Sequence, residues 1–242
     1  MSSRMLASVS NVNEAEIVLN AGVDIIDIKD PGKGALGAVR HSIVNDIVNK
    51  IAGRCLTSAT IGDLPMHAEH IAGAISAMAE TGVDIVKVGV FSETLPTEVL
   101  SAITRQAENN IDIVMVFFAD KNPTLGSITM LDNACIMGVM LDTANKNNGS
   151  LTSVMNDTTL RQFIECAHSA GLKAGLAGAL RGNDVAQLLK LEPDYLGFRG
   201  ALCRQHQREN TIDVMAVRRI RAMIPDCSIP DVRNDMLSVS AN

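Results

Sequence analysis

The sequence predicts a single (β/α)8 TIM barrel, and three observations carry that expectation. Short apolar runs alternate with longer amphipathic segments from end to end, eight of each. Such alternation implies parallel strands joined by right-handed crossovers, and eight repeats let the sheet close on itself. The length of 242 residues suits one domain of that kind. Aromatic residues make up only 2% against 47% apolar residues overall, so the interior has to be built from Ile, Val, Leu, Ala and Met. Branched side chains of that sort are what fills such barrels.

Taken in order, strands are expected at 5–9, 24–28, 56–59, 84–88, 111–117, 136–140, 173–176 and 194–198. Helical periodicity falls between them at 11–23, 41–52, 66–81, 95–109, 125–134, 157–170 and 182–190, with a last segment at 211–223. A weak internal repeat supports the assignment: NAGVDIID, ETGVDIVK and LEPDYLGF each set a helix end just before an Asp that opens a strand. Gly22 and Gly82 fall where a helix closes with a positive φ, which glycine adopts without steric cost. No low-complexity linker interrupts the pattern, so residues 1–224 read as one catalytic barrel domain. Residues 225–242 carry little periodicity and read as an irregular tail.

Composition excludes several function classes. A net charge of −6, without a basic cluster that interleaves aromatics, argues against nucleic acid or an anionic membrane as partner. The five cysteines are odd in number and widely spread, without CxxC or Cys/His spacing, which points to a reducing compartment and no metal site. No secretory signal pattern opens the chain and no run approaches about 18 apolar residues, so a cytoplasmic protein is expected. The helix AEHIAGAISAMAETG is rich in Ala, Gly and Met, a face suited to close packing against a second copy, so a homo-oligomer is expected.

The chemistry is concentrated in DIIDIKDPGKGALG (24–37) and GVDIVKVGV (82–90). Side chains alternate along a strand, so superposing the repeats at Asp24, Asp84 and Asp194 makes Asp27, Lys87 and Gly197 equivalent, with Lys29, Gly89 and Arg199 one step nearer the mouth. All three strands are even-numbered, and alternate strands of a barrel share layers. The sixth strand adds Asp142 at its end. A lysine at a strand end can be a rim residue snorkelling to water, with a nearby Asp as its salt bridge. The recurrence with matching parity at Lys29 and Lys87 favours function. A buried ammonium is costly unless paired, and a neutral lysine can attack a carbonyl to give an iminium that acts as an electron sink. A second amine or a carboxylate can then move protons at the adjacent carbon. Lys146 taken alone reads as a solvated loop lysine. The loops after the seventh and eighth strands, GLAGALRGND and GFRGAL, suit phosphate, with Gly178 and Gly200 offering backbone N–H groups and Arg199 a charged fork. PGKGALG (31–37) offers a further anion cradle, although it lacks the GK[ST] ending of a Walker loop. The histidines have no ligand spacing and are not expected in catalysis.

Together DIIDIKDPGKGALGA, SATIGDLP, DIVKVGVF, GVMLDTANK, GLKAGLAG and GFRGALC resemble the (5-formylfuran-3-yl)methyl phosphate synthase family of methanofuran biosynthesis, from about residue 5 to 224. The resemblance implies a condensation of two glyceraldehyde 3-phosphate molecules into a phosphorylated furan aldehyde, with loss of one phosphate and two waters and no cofactor. By motif it makes Lys29 the Schiff-base lysine and Lys87 the acid/base lysine. It assigns Asp27, Asp142 and Lys146 to the remaining polar positions. The segment RQHQRENTID departs from the glycine-rich, open loop expected after the eighth strand, and FFADKNPTLGSITML also diverges. Rival readings are another class I aldolase or lyase acting on triose phosphates, and a non-catalytic phosphosugar-binding or assembly protein. A Mg²⁺ lyase using Asp27 and Asp142 is disfavoured by the lysines, which repel the ion.

Overall fold

Eight short strands hydrogen-bond in chain order and close on themselves: β1 (Arg4–Val9), β2 (Ile25–Ile28), β3 (Leu56–Thr60), β4 (Ile85–Gly89), β5 (Asp112–Phe118), β6 (Gly138–Asp142), β7 (Lys173–Leu176) and β8 (Tyr195–Phe198). The computed structural model describes residues 3–92, 95–132, 134–145 and 149–225. Closure is by parallel pairing of β1 with β8, from Arg4 opposite Tyr195 to Ala7 opposite Phe198. The outer ring comprises α1 (Val12–Asn20), α2 (His41–Ile51), α3 (Ala68–Ala79), α4 (Thr97–Glu108), α5 (Gly126–Thr129), α6 (Leu151–Val154), α7 (Asp157–Ser169), α8 (Gly182–Leu189) and α9 (Val214–Arg221). Among the described residues no helix is long and apolar enough to cross a membrane.

Strand alternation produces two apolar layers. Ile26, Ile28, Val86, Val88, Val139, Leu141, Leu196 and Phe198 face the helices, whereas Leu6, Ile25, Leu56, Ile85, Val114, Met140 and Tyr195 fill the barrel. The repeat seen in the sequence has a physical cause at the bottom of the barrel. Asp24 accepts the N–H of Met5 at 2.7 Å, Asp84 that of Thr57 at 2.8 Å, and Asp194 that of Ala174 at 2.7 Å. Each aspartate that opens an even strand thus caps the start of the strand before it, satisfying a backbone donor that the ladder would leave exposed. Gly22 (φ 76°) and Gly82 (φ 80°) close the helices ahead of β2 and β4, as their positions predict.

Several boundaries differ from the sequence expectation. The helix expected at 125–134 is a single turn, α5. Its segment mixes Thr, Ser, Ile and Gly, which are weak helix formers. The turn α6 had no periodic signal, being four residues long. The last helix starts at Val214, capped by the Asp213 side chain on the N–H groups of Met215 and Ala216, because Ile212 is drawn into a bridge with Cys203. β6 lies two residues later than its apolar run suggested, which makes Asp142 the final residue of the strand. Of the expected tail, residues 226–242 lie outside the described residues.

Gly175 shows how tightly the inner layer is set. A methyl at this position would overlap the ring of Tyr195, itself 2% exposed. Gly175→Ala is expected to cost about 1–3 kcal/mol of stability by overpacking, read as a lowered midpoint in urea denaturation. An unchanged midpoint would mean that the ring has room to move.

Candidate active site

The inward positions of the even strands build a polar shelf above the apolar floor. Ile25, Ile85 and Tyr195 lie lowest, and the next inward residues are Asp27, Lys87, Met140 and Gly197. Above them come Lys29, Asp142 and Arg199, which line the same cavity. A Cβ on Gly197 would lie 3.0 Å from the Met140 methyl, so glycine here keeps the shelf open. The cavity measures about 210 Å³, below the ~300–1,000 Å³ of sites for drug-sized ligands, which suits small substrates.

Asp27 is the centre of a buried network. One of its oxygens accepts from Lys87 Nζ at 2.9 Å and Ser58 Oγ at 2.8 Å, and the other from Ser8 Oγ at 2.8 Å. Burial alone would push its carboxyl up. The ammonium groups of Lys87 and Lys29 and the hydrogen bonds from Lys87 and Ser8 outweigh that, holding the group below its ordinary 3.8. Lys29, nearer the mouth, has a looser partner: its Nζ lies 3.7 Å from an oxygen of Asp142. The loop after β6 is fixed by Asp120, which accepts the N–H groups of Ala144 and Asn145 at 2.7 Å each. Lys146, next along that loop, lies outside the described residues. Thiol chemistry has little support, since burial pushes Cys55 up to about 12 and also raises Cys203.

Arg199 departs from its expected use. It lines the cavity, but its guanidinium makes five hydrogen bonds, as many as it has N–H groups: two to Glu14 and three to the carbonyls of Ser8, Arg208 and Asn210. The pair with Glu14, at 2.6 Å and nearly dry, ties the end of β8 to the start of α1. Arg199 therefore fixes the loop above the cavity and presents no free fork to an anion. The glycine segment 31–37 is likewise no open cradle, because the protein's own Asp63 occupies it, accepting from the N–H groups of Ala35 (3.2 Å) and Leu36 (2.9 Å). Gly178 (φ 107°) and Gly200 both line the cavity, and among the described residues their N–H groups meet no protein acceptor. Four polar wall residues were missed in the sequence: Ser8, Arg181, His206 and Arg208. Only the departure in RQHQREN could have flagged the last two, since loop residues carry no periodicity.

Comparison with known proteins bears on the chain as a whole. The sequence profile of the 4-HFC-P synthase family matches residues 5–221. A Methylorubrum extorquens protein, provisionally named (5-formylfuran-3-yl)methyl phosphate synthase, is 39% identical over 90% of this chain and 92% of its own. The (5-formylfuran-3-yl)methyl phosphate synthase of Methanocaldococcus jannaschii is 32% identical, over 90% of this chain and 98% of its own. In fold, 3-hexulose-6-phosphate synthase from Salmonella typhimurium superposes with a TM-score of 0.67 at 14% identity, covering 91% of this chain and 97% of that one. Phosphoribosyl anthranilate isomerase from Thermus thermophilus gives 0.65 at 13% identity, covering 91% and 97%. Those two likenesses concern the barrel alone. The match along nearly the whole chain decides the rest: this chain belongs to the 4-HFC-P synthase family and is an enzyme built on a (β/α)8 barrel.

Proposed function

We propose that the chain condenses two molecules of glyceraldehyde 3-phosphate into (5-formylfuran-3-yl)methyl phosphate through a Schiff base on Lys29. The observation that carries this reading is the pair of amines sharing one cavity, each beside a carboxylate, Lys29 with Asp142 and Lys87 with Asp27. The six carbons of two trioses are all kept, one phosphate and two waters leave, and no redox change is required. In its unprotonated form the Lys29 amine adds to the substrate carbonyl and expels water, leaving an iminium that makes the adjacent C–H acidic. Lys87, in its unprotonated form, takes that proton and returns it at later steps, and Asp27, in hydrogen-bond contact with it, stabilises the ammonium so formed. Asp142 steadies the charge that forms on Lys29, and Lys146 supplies a further acid/base group, as in the family motif. The N–H groups of Gly178 and Gly200 receive one substrate phosphate, with Arg199 holding the loop of Gly200 from behind.

The purified chain given glyceraldehyde 3-phosphate alone is expected to produce a furan chromophore and inorganic phosphate in equal amounts. A requirement for a second, different aldehyde would favour another class I aldolase instead. The small-residue composition of α3 supports a homo-oligomer, and light scattering that returned a mass near 25.7 kDa would end that idea.

A further inference from the structure

We infer that Arg208 holds the phosphate of the second triose, at a subsite on the β8–β1–β2 side of the mouth; this deepens the proposed condensation and rests on it. Two triose phosphates bring two strongly anionic groups into one cavity of a chain whose net charge is −6, so each needs a local cation or donor set. The N–H groups of Gly178 and Gly200 serve one of them on the β7–β8 side. Arg181 belongs to that side, since its Nη1 lies 3.7 Å from where a Cβ on Gly200 would sit.

Arg208 reaches the other way. From the loop after β8 its side chain crosses to the loop after β2, where one Nη2 hydrogen goes to the carbonyl of Gly34 at 2.8 Å. Among the described residues no carboxylate pairs with it, and its Nε and Nη1 meet no protein acceptor. It lines the cavity that also holds Lys29. A half-buried guanidinium with donors to spare beside a substrate cavity is a ready anion receptor.

The rest of the loop is organised to hold it still. Arg199 Nε donates to the Arg208 carbonyl at 2.8 Å, so the fully engaged Arg199–Glu14 pair acts as a support for the Arg208 backbone. Just before it, Gln205 (φ 54°) and His206 (φ 57°) are both left-handed, a conformation that costs residues with a Cβ and persists only where neighbours impose it. Arg181 supplies one such restraint, through two long bonds of 3.3 and 3.4 Å to the His206 carbonyl. The departure of RQHQREN from a glycine-rich loop thus replaces an open segment with a fixed arm.

Equilibrium dialysis with radiolabelled inorganic phosphate tests the subsite without relying on turnover. The wild-type chain is expected to bind two phosphates, Arg208→Gln one, and Arg208→Lys two with weaker affinity, because lysine keeps the charge. A purely structural latch to Gly34 would leave the count unchanged in Arg208→Gln, and that result would overturn the inference. In the furan assay Arg208→Gln should lose about 100-fold in kcat/KM, mostly through KM, while the adduct that the first triose forms on Lys29 persists. Should the wild type form neither adduct nor furan, the condensation reading falls, and the phosphate count still decides for or against Arg208.

Discussion

Lys29→Arg is expected to abolish the adduct that borohydride traps from glyceraldehyde 3-phosphate, and to cut furan formation on the order of 10⁴-fold or more. The guanidinium stays protonated at any pH the protein survives, so it cannot add to a carbonyl. Its charge can still face Asp142, so the loss reports nucleophilicity and not a missing ion pair. Lys87→Met should stop turnover too, but leave some trapped imine, because proton transfer follows imine formation. Peptide mass mapping after reduction separates the two amines. An adduct on Lys87 in the wild type would reverse the roles assigned to the two lysines.

The second large effect concerns stability. Asp27 and Lys87 are 1% and 3% exposed and joined at 2.9 Å, so removing either partner leaves a buried charge without its nearest counter-charge. Asp27→Asn or Lys87→Met alone should cost about 3–5 kcal/mol, or roughly 6–20 °C in Tm for a domain of this size. The double variant should regain most of that, since neither charge then remains. The sign with pH follows from the lowered carboxyl of Asp27. Its stabilising effect is present above the ordinary value of 3.8 and is lost as pH falls through the lower folded value. The gap between wild type and Asp27→Asn should therefore hold from neutral pH to about 4 and close below it. Thermal scans of all four proteins between pH 3 and 7 give both results. Additive losses in the double variant would show that the two groups are not coupled.

Much of this was legible because strands obey a period of two. Aligning three aspartates was enough to put Asp27 and Lys87 in one layer with Lys29 nearer the mouth, and all three line the cavity; the 2.9 Å bond between Asp27 and Lys87 was not foreseen. The same alignment put Arg199 at the right level but could not say what it would touch, because Glu14 lies 185 positions away and enters from a helix start. The glycine segment 31–37 misled for a related reason. Its backbone does form an anion cradle, but the anion is Asp63, brought in from the loop after β3. Arg181 was invisible, and Arg208 was hinted at only by the departure in RQHQREN, since loop direction depends on distant partners such as the carbonyls of His206 and Gly34. Residues paired by periodicity can be read in one dimension, whereas those paired across loops require the closed barrel.

Gly89 occupies the level of Lys29, Asp142 and Arg199 but contributes nothing polar. A Cβ there would press on Leu36 Cδ1 (2.7 Å) and on the ring of Phe91, which packs against Phe118 at 4.7 Å. Leu36, fully buried, drops into that vacant quarter, so the β3–β5 half of the mouth is walled with hydrocarbon. Among the described residues the cavity is lined by β6, β7, β8, β1 and β2, with Lys87 of β4 deeper in. In the proposed condensation the charged phosphates would lie against the polar side of that cavity, and the hydrocarbon wall would face the ring as it sheds water.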